Sequence, residues 1–278
     1  MKHPSKSEWV IGLHSYRESS PIGNTFASFY AAATNLFARM GVAMTHVAAE
    51  GDSYNGKLVK ASSAAAKRLV DSGFEGITVL SCVVSPEGSK EPAYDRVVSA
   101  SLSWNSPNEL LLCVVANDGL DAFLGPVFEA TLAEMLKLGN WSFGYAFRDT
   151  VERQPDFHVL SLDNGRLSKM ESQALRKWYA SKSSEREQMP RSVYPVTILN
   201  ESQLGLSVNG ATLAQIIEGT PNTTSNRVGA LVVWRVPEDQ VQRLRDSLGA
   251  AGALIAYAAH PPRPEPLSFV ASIEDVDG

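Results

Sequence analysis

Residues 123–147 read FLGPVFEATLAEMLKLGNWSFGYAF, and the fold class turns on this stretch. Phe123, Val127, Thr131, Met135 and Leu138 recur at three- and four-residue steps, and Phe128, Leu132 and Leu136 widen the stripe. That is the period of a helix with a broad buried face. Asp121 is placed to cap it, Pro126 is tolerable only in the first turn, and Gly139 suits a left-handed stop. Trp141, Phe143, Tyr145 and Phe147 then alternate with Ser142, Gly144 and Ala146. This predicts a strand with four aromatics on one face and small residues on the other, where a helix or another backbone can approach closely. A core helix docked on a central strand is one reading of the stretch; an aromatic ligand cleft is the other.

Toward the N-terminus, Trp9–His14 reads as a short apolar strand. Thr25–Met40 follows as an amphipathic helix stopped by Gly41. A second strand spans 42–49, a polar loop 50–57, an alanine-rich helix 58–72 and a third strand 77–84. Residues 96–104 alternate Val98, Ala100, Leu102 and Trp104 with Val97, Ser99, Ser101 and Ser103. With 110–116 across an Asn-Ser-Pro-Asn turn, they predict a β-hairpin. Residues 1–150 therefore form an N-terminal α/β lobe with a mixed sheet.

Residues 151–192 form a basic helical connector, with an edge strand expected at 156–162. Between 163 and 192, seven Lys and Arg face four Asp and Glu. The segment is either a solvated connecting helix or a docking element. Residues 193–260 form a C-terminal α/β lobe packed on the first. It is expected to hold a strand at 193–199, an Asn200-capped turn, a helix at 212–218, a polar loop at 220–226, a strand at 228–236, a helix at 237–248 and a last strand at 253–258. Residues 261–278 are a Pro-rich and acidic tail. The class is α+β or α/β: mixed β-sheets covered by amphipathic helices, in two βα-rich halves.

The chain has 278 residues, 44% hydrophobic and 20% charged, enough for a large core. A net charge of -5 argues against nucleic acid as a partner. Cys82 and Cys113 sit in apolar runs and read as buried thiols. None of the five histidines falls in a zinc-binding spacing, so no metal is expected. Nucleophile-elbow, P-loop and dinucleotide fingerprints are absent, and no cofactor is expected. With neither a signal-like apolar region nor a membrane-length run, the expectation is a cytoplasmic protein with no membrane partner.

The densest polar constellation follows three strands: His14, Ser15 and Arg17 after the first, Glu50 and Asp52 after the second, Ser85 and Glu87 after the third. If these strands are parallel, the groups share the carboxyl edge of the sheet. His14 could then act as base, Glu50 and Asp52 as its partner or acid, and Arg17 as an anion clamp in a small-molecule hydrolase or transferase. Polar loops after buried strands supply the same residues without any function. Trp178 and Tyr179 are either an exposed anchor for a protein partner or pins that hold their helix to the body.

The order of elements also resembles a known family. A hairpin leads into an amphipathic helix, then SFGYAF at 142–147, YPVTILNESQL at 194–204 and GALVVWRVP at 229–237. Across residues 95–260 this is similar to cytoplasmic immunity proteins that guard bacteria against toxins delivered by type VI secretion (T6SS). The resemblance implies a protein that binds a cognate toxin and occludes its active site, with no catalytic residue or cofactor of its own. Candidate contact residues are then Asp52, Tyr54 and Glu87 in the polar loops, and Trp178 and Tyr179 on the basic helix. The acidic balance suits a basic toxin surface.

Overall fold

In the computed structural model, which describes residues 6–16, 24–105, 109–117, 126–162 and 165–258, the main sheet grows outward from β1 (Ser7–Ser15). β1 pairs with β7 (Glu109–Asn117) on one side and β8 (Phe143–Thr150) on the other. Beyond β7 come β6 (Val98–Asn105), β5 (Ile77–Val84), β2 (His46–Gly51) and the short β3 (Tyr54–Asn55), with β4 (Val59–Lys60) also paired to β2. Beyond β8 come β9 (Val196–Leu199), β13 (Leu231–Arg235) and β12 (Thr224–Val228). Strands from both halves of the chain thus share one sheet, and the fold is α+β. Every pairing among the described strands is antiparallel. The parallel arrangement considered for the first three long strands therefore does not occur.

The period of two gives the sheet two distinct faces. On the first face, Trp9, Ile11 and Leu13 of β1 join Leu110, Leu112 and Val114 of β7 and Val98, Ala100 and Leu102 of β6 in one apolar cluster. It is packed by α1 (Thr25–Arg39), α2 (Ala64–Asp71) and α3 (Pro126–Met135). Arg39 of α1 is ion-paired to Glu134 of α3, and Arg235 of β13 to Glu129 of α3.

On the second face, Val10, Leu111, Cys113, Val115, Phe143 and Tyr145 pack beneath α4 (Pro155–Val159), α5 (Lys169–Ala180), α7 (Glu201–Leu204), α8 (Leu213–Gly219) and α9 (Glu238–Ala250). A six-residue α6 (Ser183–Gln188) follows α5, and a small hairpin of β10 (Ser207–Val208) and β11 (Ala211–Thr212) precedes α8.

The small residues of β8 do admit close packing. A Cβ on Gly144 would stand 2.5 Å from Leu13 Cδ2 and 2.9 Å from the Gly12 carbonyl. Gly12 in turn makes room for Val159, whose Cγ1 lies 3.0 Å from the position a Cβ would take. Asn200 caps its turn as expected: its side chain accepts from Gln203 N while Gln203 reaches back to the Asn200 N–H.

Several local expectations are corrected. Trp141 does not join the β8 aromatics. It precedes the strand, packs in the first-face cluster and donates its indole N–H to the Met135 carbonyl at 2.9 Å. The strand expected at 156–162 is helix α4, entered through Pro155, whose fixed φ suits a helix start. The 58–72 helix is confined to α2 because Ser63 accepts from Ala66 N and caps it there. The polar stretch before Val228 is edge strand β12, since an exposed edge pairs through backbone alone. Residues 253–258 form no strand; Ile255 N and Ala256 N instead donate to the carbonyls of Pro190 and Arg191. The expected cap Asp121 and stripe residue Phe123 lie outside the described residues.

Candidate functional site

The two faces differ in how far their helices extend. On the first face, the inward residues of β6 and β5 are sealed: Ala100, Leu102, Leu80 and Cys82 are all fully buried. On the second face, the helical layer that covers β7, β1 and β8 does not close over β6, β5 and β2. There Ser99 and Ser101 of β6, Val79 and Ser81 of β5, and His46 and Ala48 of β2 stay partly exposed, and Glu50 is exposed. The register sets them in rows: Cys113–Ser101–Ser81–Ala48, Val115–Ser99–Val83–His46 and Leu111–Ser103–Val79–Glu50. Val83 and Ser103 in these rows are buried, and between them lies an open patch of small side chains with a depression of about 300 Å³, bounded by Ala93, Arg96, Asp156 and Leu160.

The borders of this face are held by polar contacts. Arg96 reaches from the loop before β6 to Glu8 at 3.1 Å and Asp156 at 3.0 Å, tying that loop to β1 and α4. Burial works against its charge, but Asp156 and Glu8 outweigh it and raise its pKa above the ordinary arginine value. At one end of the face, His46 Nδ1 lies 3.0 Å from Thr45 Oγ1 and 3.3 Å from Ser85 Oγ, and these two hydroxyls are 3.2 Å apart. Tyr94, in the loop that borders the face, is 71% exposed, a large aromatic with no core role.

The strand-end residues are not brought together. β1 and β2 run the same way, but β7, β6 and β5 stand between them. His14 and Glu50 sit four strand steps apart along one row, about 19 Å. β5 runs against β2, so Ser85 and Glu87 follow its opposite end. Glu50 and Asp52 are exposed at the tip of β2, and Arg17 lies outside the described residues. Ser15 is buried, donating to the Asn140 carbonyl at 2.9 Å.

His14 is 1% exposed. Its Nε2 lies 3.3 Å from Tyr145 Oη, and its Nδ1 is 3.7 Å from Glu109. Burial lowers its pKa; the Glu109 contact opposes this, and the Arg191 and Arg186 charges add to it.

Of the expected partner contacts, Asp52 and Glu87 are exposed and Tyr54 is half-buried against the first-face cluster. Trp178 is not an exposed anchor. At 2% exposure it is part of the second-face core, edge-on to His14 and Tyr16, with Arg186 Cζ 4.8 Å and Arg191 Cζ 5.1 Å from its ring. Its helix is amphipathic, which carries the indole inward and leaves Tyr179 53% exposed. Sequence reasoning missed the open face itself. Its signal was the serine side of the 96–104 alternation, which marks a strand face that no apolar layer covers.

Among the described residues, no group of three or more His, Cys, Asp and Glu is placed to hold a metal ion. Cys82 and Cys113 are free, and burial pushes both thiols up. No helix among the described residues is long and apolar enough to cross a membrane.

Fold and site together define an α+β protein in which one large antiparallel sheet is sealed across β6 and β5 on one face and left partly open there on the other. No family model matches the chain, and no curated protein matches it. Among solved structures it is similar to the Pseudomonas aeruginosa T6SS protein PA0821, with a TM-score of 0.57 and 10% identity over 95% of this chain and 79% of that one. At that identity the likeness is one of fold.

Proposed function

We propose that this chain is an immunity protein of a type VI secretion system, which binds a cognate toxin through the open half of its sheet and occludes the toxin's active site. The observation that carries the reading is the fold shared with a T6SS protein across nearly the whole chain. The open face supports it physically. Small side chains on a rigid sheet let a partner's surface approach the backbone closely, and a face already ordered costs little to dock. Exposed on the strand ends and loops near the face are five carboxylates (Glu50, Asp52, Glu87, Glu91 and Asp95) against three lysines (Lys57, Lys60 and Lys90), while Arg96 is paired internally with Glu8 and Asp156. That balance favours a basic toxin surface and a fast, salt-dependent encounter. Exposed Tyr94 at the border is the kind of aromatic that anchors such interfaces.

The test is affinity capture of the tagged protein from its native cells, grown with type VI secretion shown to be active. One near-stoichiometric partner, toxic when expressed alone and harmless when co-expressed, is the expected result. No such partner from those cells would refute the reading.

A further inference from the structure

A second cavity, of about 940 Å³, lies between the end of β8, α4, the start of α5 and α9. No residue lines both it and the depression on the open face. Its volume falls in the range of small-molecule sites. Arg191 lines it and is 1% exposed. Its Nη1 donates to Tyr145 Oη at 2.9 Å, the His158 carbonyl at 3.0 Å and Ser161 Oγ at 3.3 Å, while its Nε has no partner. Arg245 also lines the cleft. Its Nη2 donates to the Val193 carbonyl at 2.8 Å, and its Nε too is unpartnered.

Tyr145 and Tyr194 stack with ring centroids 4.3 Å apart. Arg191 Cζ stands 5.6 Å from the first ring and Arg245 Cζ 6.0 Å from the second. Two guanidinium groups therefore flank a tyrosine pair, and every hydrogen-bond partner the described residues give them is neutral. Asp149, Glu171, Glu238 and Asp246 also line the cleft, but Asp149 and Glu171 are ion-paired to Arg153, and none of the four hydrogen-bonds or ion-pairs with Arg191 or Arg245. Arg191 is the buried cation of the two, and a buried charge is ordinarily paired, because an uncompensated cation loses its hydration for nothing of equal strength. His158, 2.9 Å from Tyr194 Oη, supplies no anion, and burial together with Arg191 and Arg245 lowers its pKa well below the usual value.

We infer that this cleft binds a small organic anion, a carboxylate or phosphate group on an aromatic body, with the acid group received by Arg191 and Arg245. Phe147, Phe157 and Tyr257 supply aromatic wall for the body. The depth of Arg191 favours a small molecule over an acidic side chain presented by a protein surface, which would have to reach a nearly sealed floor. The inference does not rest on the immunity reading, and its test uses no toxin.

The test is calorimetric titration of the full chain with benzoate and with phenyl phosphate at constant ionic strength, with chloride as control. Saturable one-to-one binding of at least one probe is expected, weakened roughly tenfold or more by Arg245→Gln and less by Arg245→Lys, which keeps the charge but loses the fork. Arg245 is only half-buried, so both variants should fold, as circular dichroism would show. No binding above the chloride control up to about 10 mM probe, a very weak affinity by any measure, would overturn the inference. So would equal affinity in both variants.

Discussion

Ser101 lies directly opposite Cys113 across one strand pairing and directly opposite Ser81 across the next. Along that single row the sheet passes from sealed to open: Cys113 is buried beneath the helices, whereas Ser101 and Ser81 are partly exposed. The edge of the helical layer thus falls between β7 and β6, and what lies beyond it is a surface.

The two faces of β6 should therefore respond oppositely to the same substitution. Ser101→Arg places its side chain in solvent and should change stability by less than about 1 kcal/mol. Ala100→Arg, one residue away and fully buried, puts an unpaired charge into the apolar cluster and should cost more than about 4 kcal/mol or abolish folding. Urea denaturation of both variants checks this. Equal losses would mean that the second face is covered at β6.

Gly144 is fixed by space. Its missing Cβ would stand 2.5 Å from Leu13 Cδ2, inside the β1–β8 pairing. Gly144→Ala should destabilise by about 1–3 kcal/mol, the cost of overpacking a well-filled core. A neutral or stabilising result in the same denaturation assay would show that β1 and β8 are farther apart than described.

Trp178 and Tyr179 are neighbours in sequence with opposite roles. Trp178→Ala should cost about 3–5 kcal/mol, as expected for removing a buried indole. Tyr179→Ala should stay within about 0.5 kcal/mol. Thermal unfolding of the pair separates them, and a tolerated Trp178→Ala would restore the exposed-anchor reading.

Acid should weaken the fold through its buried histidines. Burial lowers the pKa of His14, against the pull of Glu109, and burial with the Arg191 and Arg245 charges lowers that of His158 further. Unfolded histidine titrates near about 6.5. Below that pH the unfolded chain binds protons that the native state refuses, so stability is full above about pH 6.5 and falls as pH falls. Each histidine contributes at most about 1.4 kcal/mol per pH unit. Urea midpoints between pH 7.5 and 5.5 should show the loss, and His158→Gln should shrink it. A pH-independent midpoint would contradict the burial of both rings.

The local grammar of the fold was legible where one period dominates. The β6–β7 hairpin, the first helix, the 77–84 strand and the Asn200 cap all lie where alternation or capping chemistry speaks for itself. What failed was long-range or marginal. Strand direction is set by partners far along the chain, so three strands read in sequence gave no sign that β7 and β6 would separate β1 from β2. Residues 156–159 carry Phe157 and Val159 at a strand-like spacing, yet Pro155 and packing against Gly12 make them a helix. Trp178 was ambiguous because a basic helix with one aromatic can face either way until a core is there to receive it. The open face was half-visible, in serines at every second position of 99–103. That no helix would close over them is a property of chain connectivity, which residue periodicity does not carry.

The most direct measurement compares wild type with Ser101→Arg in affinity capture of the toxin proposed as its partner, with toxin survival assays run alongside. The wild-type protein should recover the toxin near one-to-one and protect the cell. The variant, folded and as stable, should do neither. Wild-type affinity in Ser101→Arg would contradict the open sheet face as the site of contact, and failure of the wild-type protein to hold the toxin at all would contradict the immunity function itself.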